Sequence, residues 1–145
     1  MRSVIQRVTQ ASVIVDDKTV GKIDKGLLVL FGCHKDDGED KIDYLVDRIV
    51  NFRIFSDEFD KMNLSLKDID GQILIVSQFT LLADTKKGRR PSFIEALEPS
   101  KAIVYYEKFI SKMKDHIKIV QTGIFGAKMK VSLINDGPVT FILDV

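Results

Sequence analysis

The chain has 145 residues, a length that suits one domain and leaves little room for two. Apolar residues make up 45% and charged residues 30%, a balance that supports a packed core and argues against disorder. With 22 basic and 21 acidic residues the formal net charge is +1, so any role in nucleic-acid binding has to come from local clustering of charge.

The lone cysteine, Cys33, excludes an internal disulfide and a cysteine zinc cluster, and it reads as a small buried hydrophobe. The opening Met1-Arg2-Ser3-Val4-Ile5-Gln6-Arg7 lacks the apolar stretch of a signal peptide. No run approaches the roughly 20 apolar residues of a membrane span. The expected location is the cytoplasm.

In chain order, short strands come first. Val4 to Val8 is rich in β-formers, Ser12 to Val15 follows, Asp16-Asp17-Lys18 is turn chemistry, and Thr19 to Ile23 returns as a strand. Leu27 to Phe31 is apolar throughout, which predicts a strand covered on both faces. Asp36-Asp37-Gly38-Glu39 offers helix caps, and Ile42, Leu45, Val46, Ile49 and Val50 follow at helical spacing. Phe52 to Phe55 reads as a short strand, and Ser56 to Asn63 as a polar loop whose acids lack chelating spacing. Gln72 to Val76 is a second buried strand running into Ser77-Gln78-Phe79-Thr80-Leu81. A charged loop from Asp84 to Pro91 follows. Pro99 suits the first turn of a second helix with Ala102, Ile103, Tyr106, Phe109, Ile110 and Met113 on its apolar face. Strands are expected at Ile117 to Gln121, Lys128 to Ile134 and Val139 to Val145, the last two separated by Asn135-Asp136-Gly137-Pro138. Two helices among many strands point to an α/β fold of layered mixed sheets with both helices packed on one side, as a single domain over residues 1–145.

No glycine-rich phosphate loop, HExxH, CxxC or GxSxG is present. His116 falls near the end of the second helix, and His34 follows a buried strand, so neither spells out a triad. Enzymatic chemistry here would lean on backbone donors, positioning or the substrate's own groups.

Two segments, Ser77-Gln78-Phe79-Thr80-Leu81 and Asn135-Asp136-Gly137-Pro138-Val139-Thr140, resemble the two signature motifs of the D-aminoacyl-tRNA deacylases. Met1 to Val8, Arg53-Ile54-Phe55-Ser56-Asp57, Lys61-Met62-Asn63 and Arg90-Pro91-Ser92-Phe93 are similar to that family's pattern too, so the resemblance covers the whole chain. It implies a homodimer with active sites at the subunit interface, acting on the aminoacylated 3′ end of tRNA without metal or organic cofactor. The implied reaction is hydrolysis of D-aminoacyl esters, with glycyl-tRNA mischarged on tRNA(Ala) also cut.

Each motif carries two readings. By its residues alone, Gly137-Pro138 is a turn closing a hairpin; the family implies a cis bond inserted into the partner's pocket, where it rejects L-substrates. Arg7 reads as a solvated strand residue or, by the family pattern, as the guanidinium fork that orients Gly137-Pro138. Ser77, Gln78, Phe79 and Thr80 read as a strand end or as the catalytic segment, with the N–H groups of Phe79 and Thr80 forming an oxyanion hole. Thr80 as nucleophile lacks a base placed by sequence, and the family favours help from the tRNA 2′-hydroxyl. Phe125 and Met129 read as core or as the adenosine pocket. Lys86, Lys87, Arg89 and Arg90 read as a solvated loop or as phosphate contacts, which Lys128 and Lys130 would extend. The rival readings are a synthetase-type editing domain for one L-residue and a non-catalytic tRNA-binding module.

Overall fold

A computed structural model describes all 145 residues. The chain runs β1 (Arg2–Val15), β2 (Lys18–Ile23), β3 (Gly26–Gly32), α1 (Lys41–Val50), β4 (Phe55–Ser56), β5 (Met62–Leu64), β6 (Gln72–Ser77), a 3-10 turn (Phe79–Leu82), α2 (Pro99–Lys114), β7 (Val120–Thr122) and β8 (Lys130–Asp144). The main sheet has the order β2-β1-β3-β6-β7, with β8 on the other edge of β1.

Strands β3, β6 and β7 are mutually parallel, and each step along them is a crossover through a helix. Right-handed crossovers that step in one direction put their helices on the same face. Accordingly α1 and α2 share one core with Leu27, Val29, Phe31, Ile73 and Ile75, where Phe31 stacks on Phe109 at 4.5 Å. The opposite face of β3 and β6 is covered because the long strands bend the sheet back on itself. Leu28, Leu74 and Val76 meet Val8, Ala11, Val13 and Ile23 in a second, smaller core. Closure there needs Gly21, where a Cβ would lie 2.6 Å from the Thr122 carbonyl oxygen. Both faces of Leu27 to Phe31 are thus covered, as the apolar run predicts. No helix is long and apolar enough to cross a membrane.

Several expectations are corrected. Val4–Val8 and Ser12–Val15 are one strand, because β8 pairs with β1 along nearly its whole length and carries it past the exposed Thr9 and Gln10. Lys128–Ile134 and Val139–Val145 are likewise one strand, β8. Gln6 faces Thr140 and Val8 faces Asn135, so Arg7 alone lies opposite the stretch 136–139, which bulges out of the ladder without reversing the chain. The strand expected at Phe52 to Phe55 shrinks to Phe55–Ser56, and the polar loop after it is the β4–β5 hairpin, folded around Asp57. The strand expected at Ile117 to Gln121 is Val120–Thr122.

Helix α1 buries the five residues of its stripe, but Asp36 to Glu39 do not cap it; Asp40 holds the N-cap position without a side-chain bond. Asp37 turns inward instead, 2.6 Å from the Met1 ammonium and 2.8 Å from Lys41 Nζ, and accepts the His34 N–H. Its charge finds stronger partners there than a helix N–H offers.

Candidate active site

Because β3 and β6 are parallel, their carboxyl ends emerge on one edge of the sheet, where open α/β sheets place their crevices. The Gln78 N–H donates to the Phe31 carbonyl at 2.7 Å and ties the two ends together. A cavity of about 590 Å³ opens beside them. Its floor includes Phe31, Cys33 and Val76, its rim Ser77, Gln78, Phe79 and Phe93, and its far wall Phe125, Met129 and Tyr106 of α2. Most of the lining is apolar, and the ionisable side chains within it are Cys33, Glu98 and Tyr106.

Two of these three are held neutral. Burial pushes the Cys33 thiol up to about 12, with the Asp37 carboxylate adding to it, which fits the buried, unreactive cysteine expected from sequence. Burial also raises the Tyr106 hydroxyl well above its usual value, and that hydroxyl donates to the Ile75 carbonyl at 2.9 Å. His34 stays off the lining: its Nδ1 accepts the Asp36 N–H, and its Nε2 lies 2.9 Å from Glu95.

Immediately after β6 the chain enters the 3-10 turn. Leu81 donates to Gln78 and Ala83 to Thr80, so Phe79 and Thr80 head the turn and their N–H groups have no acceptor within it. Thr80 is exposed and outside the cavity lining; its Oγ1 accepts from Gln78 Nε2 at 2.5 Å. No histidine or carboxylate bonds to that hydroxyl. Phe79 is 57% exposed and meets Phe93 edge-on at 5.0 Å, making an aromatic lip over the cavity.

The basic cluster hangs from this lip. Asp84 and Ser92 exchange two backbone bonds of 2.8 and 3.0 Å, which close a loop carrying Lys86, Lys87, Arg89 and Arg90. All four are exposed and none has an acidic partner within 4.0 Å. Gly88 sits at its tip with φ +73. Lys130, by contrast, is paired with Asp17 at 3.1 Å.

Gly137 and Pro138 lie elsewhere. Their peptide bond is cis, both are exposed on the β8 bulge, and neither lines this chain's cavity. Arg7, only 9% exposed, runs beneath them. Its Nε donates to the Asp136 carbonyl at 3.1 Å and lies 3.3 Å from the Asp136 carboxylate, and its Nη1 donates to the Ile54 carbonyl at 2.7 Å. The solvated reading of Arg7 is therefore set aside. Asn135 completes the arrangement: its Oδ1 accepts the Val139 N–H at 2.7 Å and its Nδ2 donates to the Val139 carbonyl at 3.0 Å. Sequence reading passed over this role because Asn beside Asp-Gly looks like turn chemistry. Glu98 was also missed, since nothing in its neighbours signals a cavity.

The connectivity and the strand-end cavity define a class of mixed α/β protein that is represented among solved structures. The chain superposes on the c-Myc DNA Unwinding Element Binding Protein with a TM-score of 0.95 and 37% identity, covering 100% of this chain and 99% of that one. The family model described as D-Tyr-tRNA(Tyr) deacylase matches residues 4–144, and the chain belongs to that family. The D-aminoacyl-tRNA deacylase of Sulfurihydrogenibium sp. is 59% identical over 144 residues, and that of Thermosipho africanus 58% over 144 residues; each alignment covers 99% of this chain and 97% of the relative.

Proposed function

We propose that this chain is a hydrolase that cuts the ester linking a D-amino acid to the 3′ end of tRNA, releasing free D-amino acid and tRNA. It does so in the cytoplasm, as a homodimer with an active site at each subunit interface. The observation that carries the reading is a full-length match to D-aminoacyl-tRNA deacylases that coincides with an apolar cavity rimmed by Ser77, Gln78 and Phe79.

The chemistry follows from what the cavity offers. The ester carbonyl sits against the N–H groups of Phe79 and Thr80, which face developing negative charge without having to give up another bond. Gln78 orients the substrate and Ser77 supports the strand end. The lining supplies no histidine base, so the 2′-hydroxyl of the terminal adenosine assists the attacking water. Phe125 and Met129 flank the adenine. Lys86, Lys87, Arg89 and Arg90 meet backbone phosphates, which position the RNA without reading its sequence.

Discrimination comes from the second protomer. Strand β8 pairs only with β1, its other edge is open, and Ile134 and Ile142 are exposed along it. Two copies joined across this face would carry the Gly137-Pro138 bulge of one into the cavity of the other. An L-residue and a D-residue place Cβ on opposite sides of Cα, so a main-chain wedge on one side excludes L-esters and leaves D side chains uninspected. Glycine has no Cβ and passes, which extends the activity to glycyl-tRNA, including glycine mischarged on tRNA(Ala).

The test is hydrolysis of paired D- and L-tyrosyl-tRNA by the purified protein. The D-ester should be cleaved and the L-ester spared. Equal cleavage of both would favour a synthetase-type editing activity, and binding of charged tRNA with the ester intact would favour a tRNA-binding module.

A further inference from the structure

The hairpin β4–β5 carries the segment Arg53-Ile54-Phe55-Ser56-Asp57 and the residues Lys61-Met62-Asn63, none of which touches the cavity. Its bonding is unusually dense for an exposed turn. Asp57 Oδ1 accepts the N–H groups of Phe59 and Lys61, each at 2.9 Å, and its Oδ2 accepts from Asn63 Nδ2 at 2.6 Å. These bonds hold the Asp57 carboxyl below the ordinary range, the Lys61 N–H first and the Asn63 amide next. Arg53 Nε then donates to the Asn63 carbonyl at 2.6 Å and clamps the two legs together at their base. The next residue is Ile54, itself 2% exposed, and its carbonyl is the acceptor of Arg7 Nη1 at 2.7 Å.

We infer that the β4–β5 hairpin is a positioning device for the Gly137-Pro138 segment, acting through the Ile54 carbonyl and Arg7. Arg7 spans the gap between hairpin and bulge: one nitrogen is anchored on Ile54, another on Asp136, and a Cβ on Gly137 would lie 3.2 Å from its Nη2. A guanidinium is planar, so fixing one edge fixes the direction of the other. Asp57, Asn63 and Arg53 keep the Ile54 carbonyl where that edge needs it. The inference rests on the proposed exclusion of L-esters by Gly137-Pro138.

The experiment compares kcat/KM for D- and L-tyrosyl-tRNA in the wild type and in Arg53→Met, Asn63→Ala and Asp57→Ala, with thermal unfolding measured alongside. Arg53 and Asn63 are exposed, so their variants remain testable where Asp57→Ala does not fold. The D-to-L ratio is expected to fall by about tenfold or more, since small displacements of a positioning group cost rates of this order. Met113→Ala, a core truncation on α2 with no bond to Arg7, shows what destabilisation does by itself and should leave the ratio unmoved. A wild type without D-preference would remove the reading on which the inference rests. A selective wild type whose folded hairpin variants keep its ratio within about twofold, at whatever melting temperature, would overturn the inference alone.

Discussion

The side chain of Asn135 pairs with both backbone polar groups of Val139, at 2.7 and 3.0 Å, and so ties together the two ends of the bulge. Asp136, Gly137 and Pro138 are looped out between the two residues, and β8 continues on either side as though uninterrupted. Replacing Asn135 with Ala removes the acceptor of the buried Val139 N–H, which costs about 1–3 kcal/mol. Chemical denaturation should show that loss, and discrimination between D- and L-esters should weaken with it. Full stability in the variant would mean that water replaces the amide.

Gly137 has φ +132, a conformation that L-residues rarely adopt, and a Cβ there would lie 2.5 Å from Val139 Cγ2. Something must shift to admit it, and Val139 is buried while Arg7 is bonded at both ends. Gly137→Ala is expected to lose about 1–3 kcal/mol through backbone strain alone. It should also lower the D-to-L ratio in the paired tyrosyl-tRNA assay. Unchanged selectivity would separate this residue from discrimination.

Thr80 accepts from Gln78 and has no base beside it. Its replacement by Ala should leave the D-ester hydrolysis rate within about tenfold of the wild type. Removal of a true nucleophile costs on the order of 10⁴-fold or more. A loss of that size in a folded variant would make the hydroxyl, and not the backbone N–H groups of the turn, the centre of the chemistry.

If the unpaired cations at the lip meet phosphates, as proposed, their effect depends on salt. Changing Arg89 and Arg90 together to Ala should weaken tRNA binding and make the plot of log affinity against log salt shallower by about 1–2, at roughly 0.7–0.9 for each phosphate no longer neutralised. Affinity measured at several salt concentrations decides this. A weaker but parallel plot would send the phosphate path elsewhere.

Asp37 links the amino terminus to α1. Burial alone raises its pKa, but hydrogen bonds from Lys41, the Met1 ammonium and the His34 N–H outweigh that and hold the carboxyl below the ordinary aspartate range. A carboxyl depressed in the folded state contributes stability that is fully present above the unfolded value of about 3.9 and is lost as pH falls through the folded value. Asp37→Asn, which leaves a buried ammonium without its counter-ion, should cost about 3 kcal/mol at pH 7. The gap to wild type should close on acidification below about pH 4. Urea titrations at pH 7 and pH 3 measure it, and an equal gap at both would assign the loss to packing.

The local patterns were legible in the sequence wherever one periodicity governed a segment. The stripe Ile42, Leu45, Val46, Ile49 and Val50, Pro99 at the start of α2, and the doubly covered Leu27 to Phe31 all follow from side-chain spacing, which depends only on the geometry of a helix or strand. The two motifs pointed to the family because their residue order is itself the signal.

What the chain alone left open was decided by contacts between distant segments. Asn135 to Pro138 reads as a turn, yet β1 holds both flanks in line and turns it into a bulge. Asp37 reads as a helix cap, yet a buried ammonium draws it away. Arg7 reads as a surface residue until the Ile54 carbonyl, 47 positions later, and the Asp136 carbonyl, 129 positions later, close over it. Local spacing cannot report these, because a strong charge or an unpaired backbone group settles on whichever partner the folded chain brings nearest, however far it lies along the sequence.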